Sequence, residues 1–155
     1  MSANVQFGGV RAVQMRSGET PVHVVRRIDA MMMATPYLGW TWRLTDHGEG
    51  SHPVRLVVGF RGGAASPTAR PLADPALPPH DRALAVAWGD TALRRGALEP
   101  PPANRPHDPP VYTARGGREN TRIWWTELVD LSKLYIQAWP GDDVSKAAIT
   151  FIGMT

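Results

Sequence analysis

Apolar residues recur along much of this chain at every second position, in short runs. Trp40, Trp42 and Leu44 alternate with Thr41, Arg43 and Thr45. Val54, Leu56, Val58 and Phe60 repeat the pattern, as do Leu84, Val86 and Trp88. A period of two in β-branched and aromatic residues, bounded by Gly, Pro, Asp or Ser, predicts half-buried strands. The polar stretch His47-Gly-Glu-Gly-Ser-His-Pro53 lies between two of these runs and predicts a hairpin turn.

Two segments fit either period. Thr20-Pro21 followed by Val24, Val25, Ile28, Met31 and Met32 offers a cap, a proline at the first helical position and an apolar stripe. The same region also alternates as a strand. Over 121–139, Trp124, Leu128, Leu131, Tyr135 and Ala138 would share a helix face. Equally, 122–129 and 133–139 would pair as strands around Asp130-Leu-Ser132. Periodicity leaves both segments open.

The C-terminal part adds a second kind of information. Arg122-Ile-Trp-Trp-Thr-Glu-Leu128, then Leu134-Tyr-Ile-Gln-Ala-Trp-Pro140, then Asp143-Val-Ser-Lys-Ala-Ala-Ile-Thr150 resembles a group of actinobacterial (Streptomyces-type) proteins without an established activity. That group has a Trp-rich strand, an apolar strand closing in Trp-Pro, and a last amphipathic segment. Arg27-Ile-Asp29, Tyr37-Leu-Gly-Trp-Thr-Trp-Arg-Leu44 and Val54-Arg-Leu-Val-Val-Gly-Phe-Arg-Gly-Gly63 follow its order too. The chain departs from it in having Thr126-Glu-Leu-Val-Asp130 in place of a proline-rich turn, and in longer proline loops. The resemblance implies strands in both open segments.

The expected fold is therefore all-β, an antiparallel β-sandwich of about seven to nine strands. The strands fall near 5–15, 22–34, 38–45, 54–61, 83–88, 111–115, 121–129, 133–139 and 147–153. The alternative is α+β, with helices near 20–34 and 121–138. Glycine and proline number 15 each in 155 residues, about 19% together against a usual ~12%. Eleven of the 15 prolines fall in 61–81 and 99–110, which marks two extended loops. The piece between them is too short to fold alone, so residues 1–155 form one domain.

Charge excludes more than it suggests. Seventeen basic and 14 acidic residues give +3, and 15 of the 17 are arginine, a skew that codon composition also produces. No run of five like charges occurs, which argues against a nucleic-acid partner. The lack of cysteine removes disulfides, thiol catalysis and Cys-based zinc sites. No stretch has the length of a membrane span and no secretory signal is visible, so a cytoplasmic chain with no membrane partner is expected.

Each candidate for chemistry has an ordinary structural reading beside it. His47 and His52, with Asp46 and Glu49, form an imidazole–carboxylate set suited to zinc or nickel, but on a flexible turn. Pro-His-Asp occurs twice, around His80 and His107. Neighbouring residues of an extended chain point apart, so neither is a His–Asp dyad. Arg61-Gly-Gly63 and Arg115-Gly-Gly117 could bring backbone to a phosphate, yet neither has phosphate-loop spacing. Trp124 and Trp125 must face opposite ways on a strand. An outward Trp124, beside Arg122 and Thr126, would suit a protein contact.

No catalytic constellation, cofactor motif or recognisable small-molecule substrate emerges. The expectation is a non-enzymatic protein-binding or assembly module. Its partner, another protein or a second copy, would meet Trp124, Arg122, Thr126, Arg61, Arg115 and the proline loops. One alternative is a small metal-dependent enzyme using His47, His52, His80 or His107. Another is a toxin-immunity or phage-structural component.

Overall fold

In the computed structural model, residues 2–16, 18–19, 22–66 and 71–155 are described. The Thr20-Pro21 pair and part of the first proline loop therefore lie outside the described residues. The fold is all-β and sandwich-like. Its strands are β1 (Ser2–Phe7), β2 (Val10–Met15), β3 (Val24–Met31), β4 (Tyr37–Trp42) and β5 (Leu56–Arg61). They continue with β6 (Arg82–Gly89), β7 (Leu98–Glu99), β8 (Val111–Gly116), β9 (Trp125–Asp130) and β10 (Ala148–Met154). One α-helix, α1 (Leu131–Ala138), follows β9 directly.

Six strands form the main sheet in the order β3-β10-β5-β6-β8-β7. β4 and β9 make a separate two-stranded sheet, and β1 and β2 a separate hairpin. The main sheet is mixed where an antiparallel one was expected. β8 runs parallel to β6 because the chain returns through β7, which takes the antiparallel place beside β8. The predicted hairpin across 47–53 does not form either. β4 pairs with β9 and β5 with β10 and β6, so this segment crosses between sheets. It is fastened on the way, with His52 N–H donating to Trp88 O at 2.9 Å.

One face of the main sheet carries the larger core. Val58, Phe60, Leu84 and Ile149 pack there against Val129 of β9 and Leu131, Leu134 and Tyr135 of α1. The opposite face is covered by the first proline loop. Leu77 and Leu72 lie with Val57, Ala85 and Phe151, and the His80 ring meets Phe151 edge-on at 5.2 Å. This double cover explains why β6 is buried at almost every position although its sequence alternates. Small alanines at 83, 85 and 87 let a loop serve where a second sheet would need more space.

The predicted strand at 133–139 is helical. Asp130, expected in a turn, is the N-cap: its Oδ1 accepts from Lys133 N at 3.2 Å and from Ser132 Oγ at 2.6 Å. Leu131, Leu134 and Tyr135 then share a buried stripe, and Pro140 prevents extension. Thus 121–138 is neither one helix nor two strands but one of each. At 24–31 the strand reading holds.

Two largely shielded ion pairs tie the layers. Arg82 grips Asp142 through Nε at 2.8 Å and Nη2 at 3.1 Å, while Tyr135 Oη donates to the same carboxylate at 3.0 Å. Hydrogen bonds from Arg82, Ala65 N and Tyr135 outweigh the burial of Asp142, so its carboxyl titrates below the ordinary range. On the other side, Glu127 of β9 receives Arg115 of β8 at 2.5 Å and the Trp42 indole at 3.3 Å. Removing one partner of such a pair strands a charge away from water. Arg115→Met is expected to cost about 3–5 kcal/mol, and Tyr135→Phe about 1 kcal/mol. Urea unfolding of the two variants checks both, and equal costs would contradict the assignment.

Candidate functional site

A groove of about 580 Å³ is roofed by the β1–β2 hairpin. Its register puts Val5 opposite Ala12 and Phe7 opposite Val10, so these four share one face of the hairpin, and all four line the groove. The floor is formed by the starts of β3 and β5 and the end of β10, and one wall by β4 with the chain beyond it. Gly8 and Gly9 make the hairpin turn, both at positive φ, as a two-residue connection between twisted strands requires. Among the described residues, the hairpin is hydrogen-bonded to no other strand. At its tip, the Arg43 guanidinium lies 4.1 Å over the Phe7 ring.

The aromatic wall continues inward. Trp40 meets Trp42, and Trp42 meets Trp88, each with ring centroids 5.5 Å apart and edge-to-face. The Trp88 indole donates to Gly117 O. The Trp40 and Trp124 indole N–H groups are buried and have no acceptor among the described residues. Trp124, expected to face outward, is partly buried and lines this groove. The physical reason lies just before it. Arg122 has φ 64°, which interrupts alternation, so β9 begins only at Trp125.

The other predicted contact residues are dispersed. Thr126 is exposed on the outer face of β9, its hydroxyl 3.0 Å from that of Thr41. Arg122 pairs with Asp46 at the surface. Arg115 is engaged with Glu127 and stacked 3.8 Å over Trp125. Arg61 is exposed at the far end of the main sheet, since Phe60 aligns with Arg82 and Arg115 with Trp88.

Both Arg-Gly-Gly motifs have structural duties. Gly62, at φ 96°, directs its N–H to Asp81 Oδ2, a carboxylate that would repel a phosphate. Gly117, at φ 91°, follows the Gly116 backbone where it passes Thr91 too closely for a side chain.

The histidines do not converge. His47 and His52 meet edge-to-face at 5.1 Å. His80 lies under the first proline loop, where Nδ1 donates to Pro78 O and Nε2 accepts from Leu72 N. His107 sits in a second cleft of about 550 Å³, between the 99–110 loop and Trp139. Among the described residues, no group of three or more His, Asp or Glu is arranged to hold a metal ion. Comparison of the chain with models of known families, with curated proteins and with solved structures finds no match.

Burial, reinforced by His47, holds the His52 imidazole down, to about 4. Its Nδ1 accepts from Val54 N, which suits the neutral ring. Unfolded, this imidazole titrates near ~6.5. Between those values the unfolded chain binds a proton that the folded chain refuses. This part of the stability is therefore intact above the unfolded value and is lost as pH falls towards the folded one. The loss reaches on the order of 3 kcal/mol. Subtracting the pH profile of His52→Gln from that of the wild type isolates it. A flat difference would contradict the burial of a neutral ring.

Proposed function

We propose that the chain is a non-enzymatic, cytoplasmic binding module that docks a protein, either another chain or a second copy, on the outer face of the β4–β9 sheet. The observation that carries this reading is Leu128, 71% exposed, on the same face as Tyr37, 65% exposed. Gly39 stands opposite Leu128 and Thr41 opposite Thr126, so the face is a short stripe of apolar and hydroxyl groups, ending at Asp130 opposite Tyr37, whose carboxylate caps α1. Covering a leucine of this kind is worth about 1.5–3 kcal/mol, and tyrosine is enriched among the residues that dominate protein contacts. Each strand of this sheet is hydrogen-bonded on one side only. Edges without a strand partner among the described residues, beside such a stripe, offer a partner both backbone pairing and side-chain contact.

The reading relocates the contact from Trp124 to Tyr37 and Leu128, and keeps Thr126. A photo-crosslinking phenylalanine analogue at position 126, in the cells that make the protein, is expected to yield a protein adduct, which mass spectrometry identifies. Purified adduct partner is expected to bind at least about tenfold more weakly to Leu128→Lys, consistent with the apolar burial lost. Absence of an adduct, or unchanged affinity of the variant, would remove the support for this surface.

A further inference from the structure

The geometry points to the groove beneath the β1–β2 hairpin as a binding site for a single-chain anionic amphiphile, a long-chain carboxylate in chemical class. Neither Tyr37 nor Leu128 lines this site, so it is distinct from the contact proposed above. Three observations converge on it.

The first is charge. Four arginines, Arg11, Arg26, Arg43 and Arg55, line the groove, and no aspartate or glutamate does. In a chain with 17 basic and 14 acidic residues, this is a local segregation of sign. Arg43 is occupied by Phe7 and by its bond to Arg122 O. Arg11, Arg26 and Arg55 have no ion-pair partner among the described residues, a state they share with Arg27, Arg61 and Arg118 elsewhere, but they are the ones gathered at a single cleft. Guanidinium groups beside an apolar cleft that no aspartate or glutamate side chain lines suit an anionic oxygen pair from elsewhere.

The second is the lining. Most of it is aliphatic or aromatic, and its volume falls within the roughly 300–1,000 Å³ of small-molecule sites. An alkyl chain makes no demand on such walls. A peptide would bring backbone N–H and C=O groups that side chains of this kind leave unpaired.

The third is the pair of indole donors. Trp40 and Trp124 both line the groove, and the N–H of each is shielded from water without an acceptor. Buried donors of this kind cost free energy until an acceptor reaches them. A ligand oxygen admitted as the hairpin moves aside is such an acceptor, and the described residues supply none.

The hairpin makes the site operable. It is tied to no other strand, so ligand can enter by displacing it without breaking the main sheet. The Arg43–Phe7 contact is its latch.

The test is titration of the purified full chain with dodecanoate below its micellar range, followed by tryptophan emission and by calorimetry. Saturable one-to-one binding is expected, weakened by rising ionic strength. Dodecan-1-ol is expected to bind at least about tenfold more weakly, because it lacks the charge-assisted bonds. Dodecyltrimethylammonium is expected not to bind. Arg26→Ala and Arg55→Ala are each expected to weaken dodecanoate several-fold, while Arg105→Ala, in the second proline loop, leaves it unchanged. Circular dichroism verifies that the variants are folded. Equal affinity for dodecanoate and dodecan-1-ol would overturn the anionic specificity. Binding to anionic phospholipid vesicles without binding to dodecanoate would overturn the pocket in favour of a membrane surface. Ligand-independent self-association lost in Arg26→Ala would assign the groove to a second copy.

Discussion

Glu127, 5% exposed between β9 and β8, holds the Arg115 guanidinium of the main sheet and the Trp42 indole of the small sheet on one carboxylate. A charge removed from water must be compensated where it lies. The small sheet therefore has one permitted seat on the large one. With Glu127 and Val129 turned inward, Thr126 and Leu128 must turn outward, because successive side chains alternate. The same seat sets Trp40, opposite Glu127 in register, against the interior and along the wall of the groove. The outer stripe and the groove wall both follow from this one pairing.

The second constraint is the covering of the main sheet on its other side. β5 and β6 are central strands and must be shielded on both faces, and the β4–β9 sheet and α1 cover one of them. A proline-containing loop completes the cover through Leu72 and Leu77, pinned by His80 and by Gly62 N–H on Asp81. Prolines suit this role because an extended loop over a sheet has few places to put its own N–H groups. The loop expected to carry function thus has a structural task. The second loop, at 99–110, walls a cleft with Trp139.

How far the sequence reveals these arrangements varies with their range. The strands with strict alternation, 38–45, 54–61 and 83–88, appear where their patterns put them, within a few residues. The segment 133–139 does not, since Asp130 could close a turn or cap a helix with the same side chain. Only the docking of Leu134 and Tyr135 on Phe60 and Val58 selects the helix. Trp124 and Trp125 were separable in principle by alternation, but the left-handed Arg122 removes the strand on which that argument depends. Tyr37 and Leu128 gave no signal as an exposed pair, because they lie far apart in the chain and become neighbours only through β4–β9 pairing.

Local properties of the chain were therefore determined by sequence alone: β-rich character, the positions of most strands, two proline loops, and the absence of thiol chemistry. These depend on backbone preference and short-range periodicity, which act over a few residues. Tertiary structure decided the rest. It chose which strands pair, turned β8 parallel to β6, split 121–138 into strand and helix, and paired Arg115 with Glu127 while leaving Arg11, Arg26 and Arg55 without carboxylate partners among the described residues. Those outcomes depend on contacts between residues distant in sequence, where burial and charge compensation outweigh local preference.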